Sequence, residues 1–484
     1  MSFTLIGFIL YLIIILFVGF ITYKNNKSHQ DYFLAGRKLN PWVVAFSERA
    51  SGESAWLLLG LPGLAYASGL IGSWDAIGCV SGIFFYWFFI AKKLRIESQK
   101  TDSITLPDFF AEKFGQNKNP IRVIALLIIV FFFTFYLASQ FNAAGKVLNV
   151  TFGIDWEWGV VLGAVVIIFY TMMGGFFAVA WTDLVQGIIM IGALVILPLA
   201  GWIELQESGK SFNDALSNAP SFGGEWLGGL EGWAAIALVI SGLSWGPGYM
   251  GQPHLLTRFM SISDPEKIKV SRRVALWWAT LAFTGALFIG LVSIAYYGPN
   301  MFEDREFVMP QLTTDLLPAW LAGIFISGAI AAMMSTGDSQ LLVITSSVIE
   351  DFLHKTLGIR LTEKKFLMWS RIVTIAVGLL GFIIAIKSES LVFKMVSYAW
   401  SGLGSSFGPA LLLLLWWKKT TSQGVIAGMI SGAVMTVIWI ELPKYWSTLP
   451  VLDDYISVRF VSFAVAFFLV IVTSLLTFKD KQNG

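Results

Sequence analysis

The sequence predicts an all-α polytopic membrane protein of about thirteen transmembrane helices, each needing roughly 20 mostly apolar residues to cross. Three observations carry that expectation. First, 56% of the 484 residues are hydrophobic and only 13% are charged, where soluble domains carry about 25% charged residues. Second, the apolar residues gather into charge-free blocks such as Leu5 to Ile21, Val123 to Tyr136, Gly159 to Met172, Gly187 to Ala200 and Phe463 to Leu475. Third, the basic residues fall on alternate connections. Lipid offers the backbone no hydrogen-bond partners, so a chain of this kind crosses as helices.

In chain order, spans are expected at 3–23, 42–69, 73–91, 121–148, 157–178, 182–203, 232–257, 274–297, 318–350, 366–386, 393–417, 421–441 and 457–477. The first block has no positive charge before it, and Lys24 and Lys27 follow it. It reads as a retained span with its N-terminus outside, not as a cleaved signal. The connections then alternate between two sides. One side receives 25 of the 33 lysines and arginines, including the stretch Lys92 to Arg122 and the clusters Arg258 to Arg273 and Lys355 to Arg371. Lys418, Lys419, Lys479 and Lys481 fall on it too. Positive charge marks the cytoplasmic side. The C-terminus is therefore expected inside, which an odd span count requires.

The longest connections, 92–120 and 204–231, resemble no folded module. Residues 1–484 read as a single transmembrane domain whose work is done within or across the bilayer. Cys79 is the only cysteine, and His29, His254 and His354 are scattered. No disulfide or cysteine–histidine metal centre is expected. A GxxxxGK[ST] loop is missing, which argues against ATP-driven transport. Ser54 beside Glu53 has no general base in sequence reach, so an intramembrane enzyme is not expected. Nothing in the charge pattern points to nucleic acid or to an obligate protein partner.

Two spans carry polarity and helix breakers that lipid should penalise. SERASGESAWLLLGLPG, residues 47–63, holds Glu48, Arg49 and Glu53 with Gly52, Gly60, Pro62 and Gly63. SGLSWGPGYMGQPHLL, residues 241–256, holds Gly246, Pro247, Gly248, Gly251 and Pro253. Proline removes a donor and clashes with the preceding turn. Either interruption alone reads equally as an ordinary proline kink. Both together, five spans apart, point to matching positions in two repeats, spans 2–6 and 7–11, and to a secondary transporter with a midplane site.

The chain resembles the sodium/solute symporters, most closely the bacterial sodium/proline symporters. The resemblance rests on DYFLAGR (31–37), WLLLGLPG (56–63), ITLPDFFAEKF (104–114), GGFFAVAWTDLVQ (174–186), GYMGQPHLLTRFM (248–260), AAMMSTGDSQLL (331–342) and SYAWSGLGSSFGPALL (397–412). It implies the fold of the bacterial leucine transporter, a 5+5 inverted-repeat core. The first repeat would span 42–203 and the second 232–417, with 3–23 and the two helices in 421–477 as additions. It also implies a bacterial plasma-membrane symporter that couples sodium to L-proline entry. Another small amino acid or carboxylate is the second choice, and a transporter-like membrane sensor is the rival of a different class.

The resemblance also assigns residues. Sodium would be held by the carbonyls of Ala50, Glu53 and Ala332 and the hydroxyls of Ser335 and Thr336. Oxygen ligands of this kind suit a hard cation. On its own, a Ser–Thr pair in a membrane helix usually makes a packing hydrogen bond. The solute pocket would use Ser54, Ala55, Tyr136, Trp245, Tyr249 and Pro253. Two departures stand out. Gly52 replaces an aspartate of the best-known proline symporters, with Glu53 beside it, and Ala55 replaces a glycine.

Glu53 or Asp338 could take over part of that aspartate's role at a second cation or a proton site, or serve as a buried structural pair with Arg49 or backbone donors. Intramembrane carboxylates are functional candidates by default. Asp183 matches a family aspartate linked to sodium access, and also sits where it would cap the sixth span. Glu48 and Arg49 read as a gate pair or as a solvated end.

Overall fold

A computed structural model describes residues 3–23, 29–115, 117–173, 175–217, 224–388, 390–446 and 449–478. Lys24, Lys27, Lys479 and Lys481, counted above with the basic side, lie outside the described residues. The described chain is helical, and its one strand-like pairing is an isolated bridge between Leu39 and Ile262.

Among the described residues, nine helical stretches are long and apolar enough to cross a membrane, and Phe3–Gly19 and Trp156–Met172 are shorter apolar helices. The stretch Pro41–Phe89 has 49 residues. That is more than twice the roughly 20 residues a crossing needs, so the chain reverses within it. Gly69, at φ 59°, makes the turn between Leu61–Ser68 and Ser73–Phe89.

Burial separates core from periphery. Of the most apolar window of Ala319–Thr356, 78% is buried against protein; for Val458–Thr477 the share is 22%. Pro41–Ala55 packs against Phe176–Glu207, Ala319–Ser346 and Ile268–Tyr297. The first helix, Phe3–Tyr23, packs against Ala319–Ser346 and Phe176–Glu207. Ser422–Tyr445 and Val458–Thr477 pack on each other and on Val392–Trp416.

The two interrupted helices lie side by side and antiparallel. At one end the Leu39 amide donates to Ser261 O (3.2 Å) and the Ser263 amide to Leu39 O (3.2 Å). Arg37 clamps the same end, donating to Met260 O (2.9 Å), Ser98 O (3.1 Å) and Ser103 O (2.7 Å). Toward the other end Trp56 stacks on Trp245, with ring centroids 4.6 Å apart. On the same connection as Ser98, Lys100 and Lys113 both donate to Glu97, which holds its carboxyl below the usual range.

Backbones meet closely where Ser73–Phe89 crosses the second interrupted helix. A Cβ on Gly82 would fall inside the Gly246 backbone, and one on Gly78 would strike the Gly242–Leu243 backbone. Small residues permit this in membranes, where close packing replaces the hydrophobic drive. Gly82→Val is expected to destabilise the protein by about 1–3 kcal/mol, the usual range for overpacking. Gly192→Ala, whose nearest neighbour atom would lie at 3.8 Å, should be neutral. Thermal unfolding in detergent compares the two, and equal stability of both variants would refute this packing.

Candidate functional site

Asn40 starts the first interrupted helix by accepting the Trp42 amide (2.9 Å), with Pro41 in the first turn. Pro41–Ala55 breaks at Ser54, where φ is 46° and ψ −169°. A non-glycine residue rarely adopts such a conformation without support from its surroundings. In an unbroken helix the Ala55 amide would donate to Ser51 O; here it donates to Gln140 Oε1 (3.1 Å).

The carbonyls at the break find donors on Ala319–Ser346. Ser335 Oγ donates to Ala50 O (3.0 Å) and lies 3.1 Å from Ala332 O, and Thr336 Oγ1 donates to Ser51 O (3.0 Å). Ala50, Ala332 and Ser335 thus gather three neutral oxygens at one point, the donor type a hard cation takes. Thr336 reaches the adjacent carbonyl. Glu53 contributes a carbonyl that accepts the Trp56 amide, while its side chain points to Arg49 and Tyr249.

Above the break lies an aromatic cluster. Tyr136 donates to Ser54 Oγ (3.4 Å), which also accepts the Trp56 amide (3.3 Å). The Trp56 and Trp245 rings are nearly parallel, 6° apart. Trp400 donates to Trp245 O (3.2 Å), and Tyr249 meets Trp400 edge-on at 4.6 Å. All these side chains are fully buried. Ser54, Ala55, Tyr136, Trp245 and Tyr249 therefore border one region. Pro253 does not join it. It follows the second break at Gln252 (φ −90°, ψ 103°) and lines a cleft with Phe33, Thr105, Phe176 and Thr257.

The sodium:solute symporter family model matches residues 32–432. The chain belongs to the sodium:solute symporter family. The high-affinity proline transporter PutP of Bacillus subtilis (strain 168) is 36% identical over 470 residues, covering 96% of this chain and 97% of that protein. The sodium/proline symporter of Escherichia coli (strain K12) is 37% identical over 442 residues, covering 90% of this chain and 87% of that one. In fold, the chain is similar to a sodium-coupled sialic acid symporter solved in a substrate-bound outward-open state. The TM-score is 0.78 at 19% identity, over 99% of this chain and 97% of that one.

This chain buries charge in two clusters near the break. In the first, Arg49 pairs with Glu53 and Glu48, with its Nε 2.7 Å from Glu48 Oε2, and donates to the Tyr86 hydroxyl (2.6 Å). Trp87 Nε1 donates to Glu48 (3.1 Å) and Tyr249 to Glu53 (3.1 Å). Both Glu48 and Arg49 are wholly buried, which corrects the solvated-end reading. The face they occupy packs against Tyr86 and Trp87.

In the second cluster Asp183 Oδ2 accepts from Ser47 (2.6 Å), Ser51 (3.0 Å) and Arg258 (3.1 Å). Arg258 also donates to Ser339 Oγ (2.5 Å) and His254 O (2.6 Å). Asp183 does not cap its helix. The chain is already helical from Phe176, directly after the extended Gly175, so Asp183 lies two turns inside. Arg258, counted with the cytoplasmic cluster, is fully buried within Pro253–Ser261. Asp338 sits beside this network, with Ser339 Oγ donating to its Oδ1 (3.2 Å).

Gln140, Trp56, Trp400 and Arg258 were not singled out from sequence. For Gln140 the available signal is a polar residue within an apolar span. Removing Arg258 strands the Asp183 carboxylate. Arg258→Met is expected to cost about 3–5 kcal/mol, as when a buried pair loses one partner, and Asp183→Asn added to it should recover part of that. Unfolding of the single and double variants in detergent tests this; equal losses would disprove the pairing.

Proposed function

We propose that this secondary transporter carries L-proline into the cell with sodium by alternating access across a bacterial plasma membrane. The observation that carries the reading is the gathering of Ala50 O, Ala332 O and Ser335 Oγ at a helix break that borders a buried aromatic cluster. The identity of 36–37% to relatives named as proline transporters supports the choice of solute. Sodium takes the carbonyls of Ala50, Glu53 and Ala332 with the hydroxyls of Ser335 and Thr336. The proline ring packs among Tyr136, Trp245 and Tyr249, beside Ser54 and Ala55. The N-terminus of the half-helix that follows the break at Ser54 faces its carboxylate, as helix N-termini do for anions. Pro253 acts from the exit cleft.

The N-terminus faces outside, and residues 42–203 and 232–417 form the two inverted repeats. The antiparallel pairing of the interrupted helices favours that division. Residues 3–23 and 421–477 are additions around it.

Asp183 and Asp338 form a further ion or proton site. Two carboxylates face one guanidinium there, and the uncompensated negative charge calls for a cation or a proton. Glu53 is spoken for by Arg49 and Tyr249, so the missing aspartate's role passes to Asp338. One sodium crossing about 100 mV gains about 2.3 kcal/mol, and a tenfold gradient adds about 1.4 kcal/mol. Together these sustain roughly a few hundredfold accumulation.

Labelled L-proline uptake into proteoliposomes tests the reading, run with an inward sodium gradient, with sodium equalised, and with a proton gradient alone. Accumulation is expected only in the first arm; uptake indifferent to sodium would reject the reading. Ser335→Ala should raise the sodium needed for half-maximal uptake by about tenfold, the effect of losing about 1.4 kcal/mol. Asp338→Asn should lower the steepness of the sodium dependence, and an unchanged sodium response would remove Asp338 from the ion path.

A further inference from the structure

A buried arginine on the last helix lies outside the matched family segment and beyond the ten-helix core. Arg459, in the first turn of Val458–Thr477, has 8% of its side chain exposed. It donates to Ser397 Oγ (2.7 Å), Ser244 Oγ (3.3 Å) and Ser241 O (3.0 Å). Its Nη2 lies 3.5 Å from Asp75 Oδ1, and its guanidinium carbon sits 4.4 Å from the Trp245 ring centroid. The same Asp75 oxygen accepts Trp245 Nε1 at 2.6 Å. Trp245 is thus sandwiched between a guanidinium and Trp56, and pinned at its edge by a carboxylate.

The arrangement joins four helices. Asp75 comes from Ser73–Phe89, Trp245 and its serines from the second interrupted helix, Ser397 from Val392–Trp416 and Arg459 from the last helix. These are the elements that border the aromatic cluster on the side away from the Leu39–Ser261 clamp. We propose that Arg459 and Asp75 are positioning residues for Trp245 and form the latch that shuts the solute site toward the outside. The sidedness rests on the orientation proposed above. Opening the site outward requires Trp245 to part from Trp56, and the latch opposes this through side-chain hydrogen bonds and a cation–π contact. Such a contact has its greatest strength when desolvated. Each bond is made by a side chain, so the latch opens without unfolding any helix.

The chain supplies its own reporter. Cys79 is the only cysteine, is fully buried, and lies one turn from Asp75 on the same helix face. Gly78 and Gly82, on the same helix, pack against the second interrupted helix. The test is the labelling rate of Cys79 by a membrane-impermeant maleimide, in right-side-out and in inverted vesicles. Arg459→Gln and Asp75→Asn should each raise outside labelling by at least about tenfold, as when a minor open state gains population. Arg459→Lys, which keeps the charge but not the guanidinium fork, should fall between the native and Arg459→Gln rates, and Cys79→Ser should abolish the signal. Unchanged outside labelling in both latch variants overturns the proposal, as does an equal rise from both faces, which marks general loosening. The readout needs no proline, so a wrong solute leaves it intact. If Arg459→Gln fails to fold, Asp75→Asn decides alone.

Discussion

The structure depends on a backbone break that lipid would not tolerate unaided. At Ser54 the chain leaves the helix in the left-handed region, and the Ala55 amide loses its partner in the preceding turn. Water cannot repair this at membrane depth, and each unmade bond costs about 1–3 kcal/mol. The repairs come from far along the chain: Gln140 takes the amide, and Ser335 and Thr336 take the carbonyls. Three helices must therefore meet at one place before the break is stable. That requirement creates the oxygen cluster, because the groups that repair the backbone are neutral oxygens, the donor type a hard cation takes.

Buried charge serves the same meeting. A buried ion pair seldom adds net stability, since desolvation offsets attraction, yet losing one partner is costly. Such pairs therefore specify which helices touch more than they strengthen the contact. Arg258 ties Pro253–Ser261 to Pro41–Ala55, Phe176–Glu207 and Ala319–Ser346 through Ser47, Asp183 and Ser339. Elsewhere Lys146 binds Asp304 (2.6 Å) and Glu306 (2.5 Å), and Glu306 accepts the amides of Val392 and Phe393, both at 2.9 Å. That places a connection and a helix start beside Phe393, whose ring meets Trp56 and Trp245.

Much of this was legible in the sequence, for reasons that differ by residue. Apolar length marks a span wherever it occurs, so most helices lie close to their expected places. The breaks were legible because Gly246, Pro247 and Pro253 act locally. The Ser335–Thr336 pair needed the family resemblance, since a local pattern cannot distinguish a ligand from a packing hydroxyl. Partner choice was not legible. Arg258 falls in sequence into one basic stretch with Lys267 to Arg273, and only packing places it among Ser47, Ser51 and Asp183. Asp183 reads as a cap in the sequence because the sixth span is expected to begin at Thr182; the extended Gly175 starts the helix at Phe176 instead. Pro253 lies four residues from Tyr249, yet it follows the break at Gln252 and lines the cleft with Phe33, Thr105 and Phe176.

The two interrupted helices are joined differently at their two ends, and this asymmetry has a mechanical consequence. At the Leu39–Ser261 end the joints are backbone hydrogen bonds and a four-way arginine clamp with little freedom to re-pair. At the Trp56–Trp245 end they are ring faces and side-chain hydrogen bonds, which rotamer changes can exchange one at a time. A pair of rods fixed together at one end and held by side chains at the other stays joined at the first end while the second opens and closes. The cation cluster lies between these ends and bridges the pair to Ala319–Ser346. On the proposed reading an ion taken there changes how firmly the pair is held to its neighbour, and the aromatic cluster borders the end that is free to respond. The coupling of ion to solute then needs no long relay. On the proposed reading both act on one pair of broken helices, hinged at one end, from two points along its length.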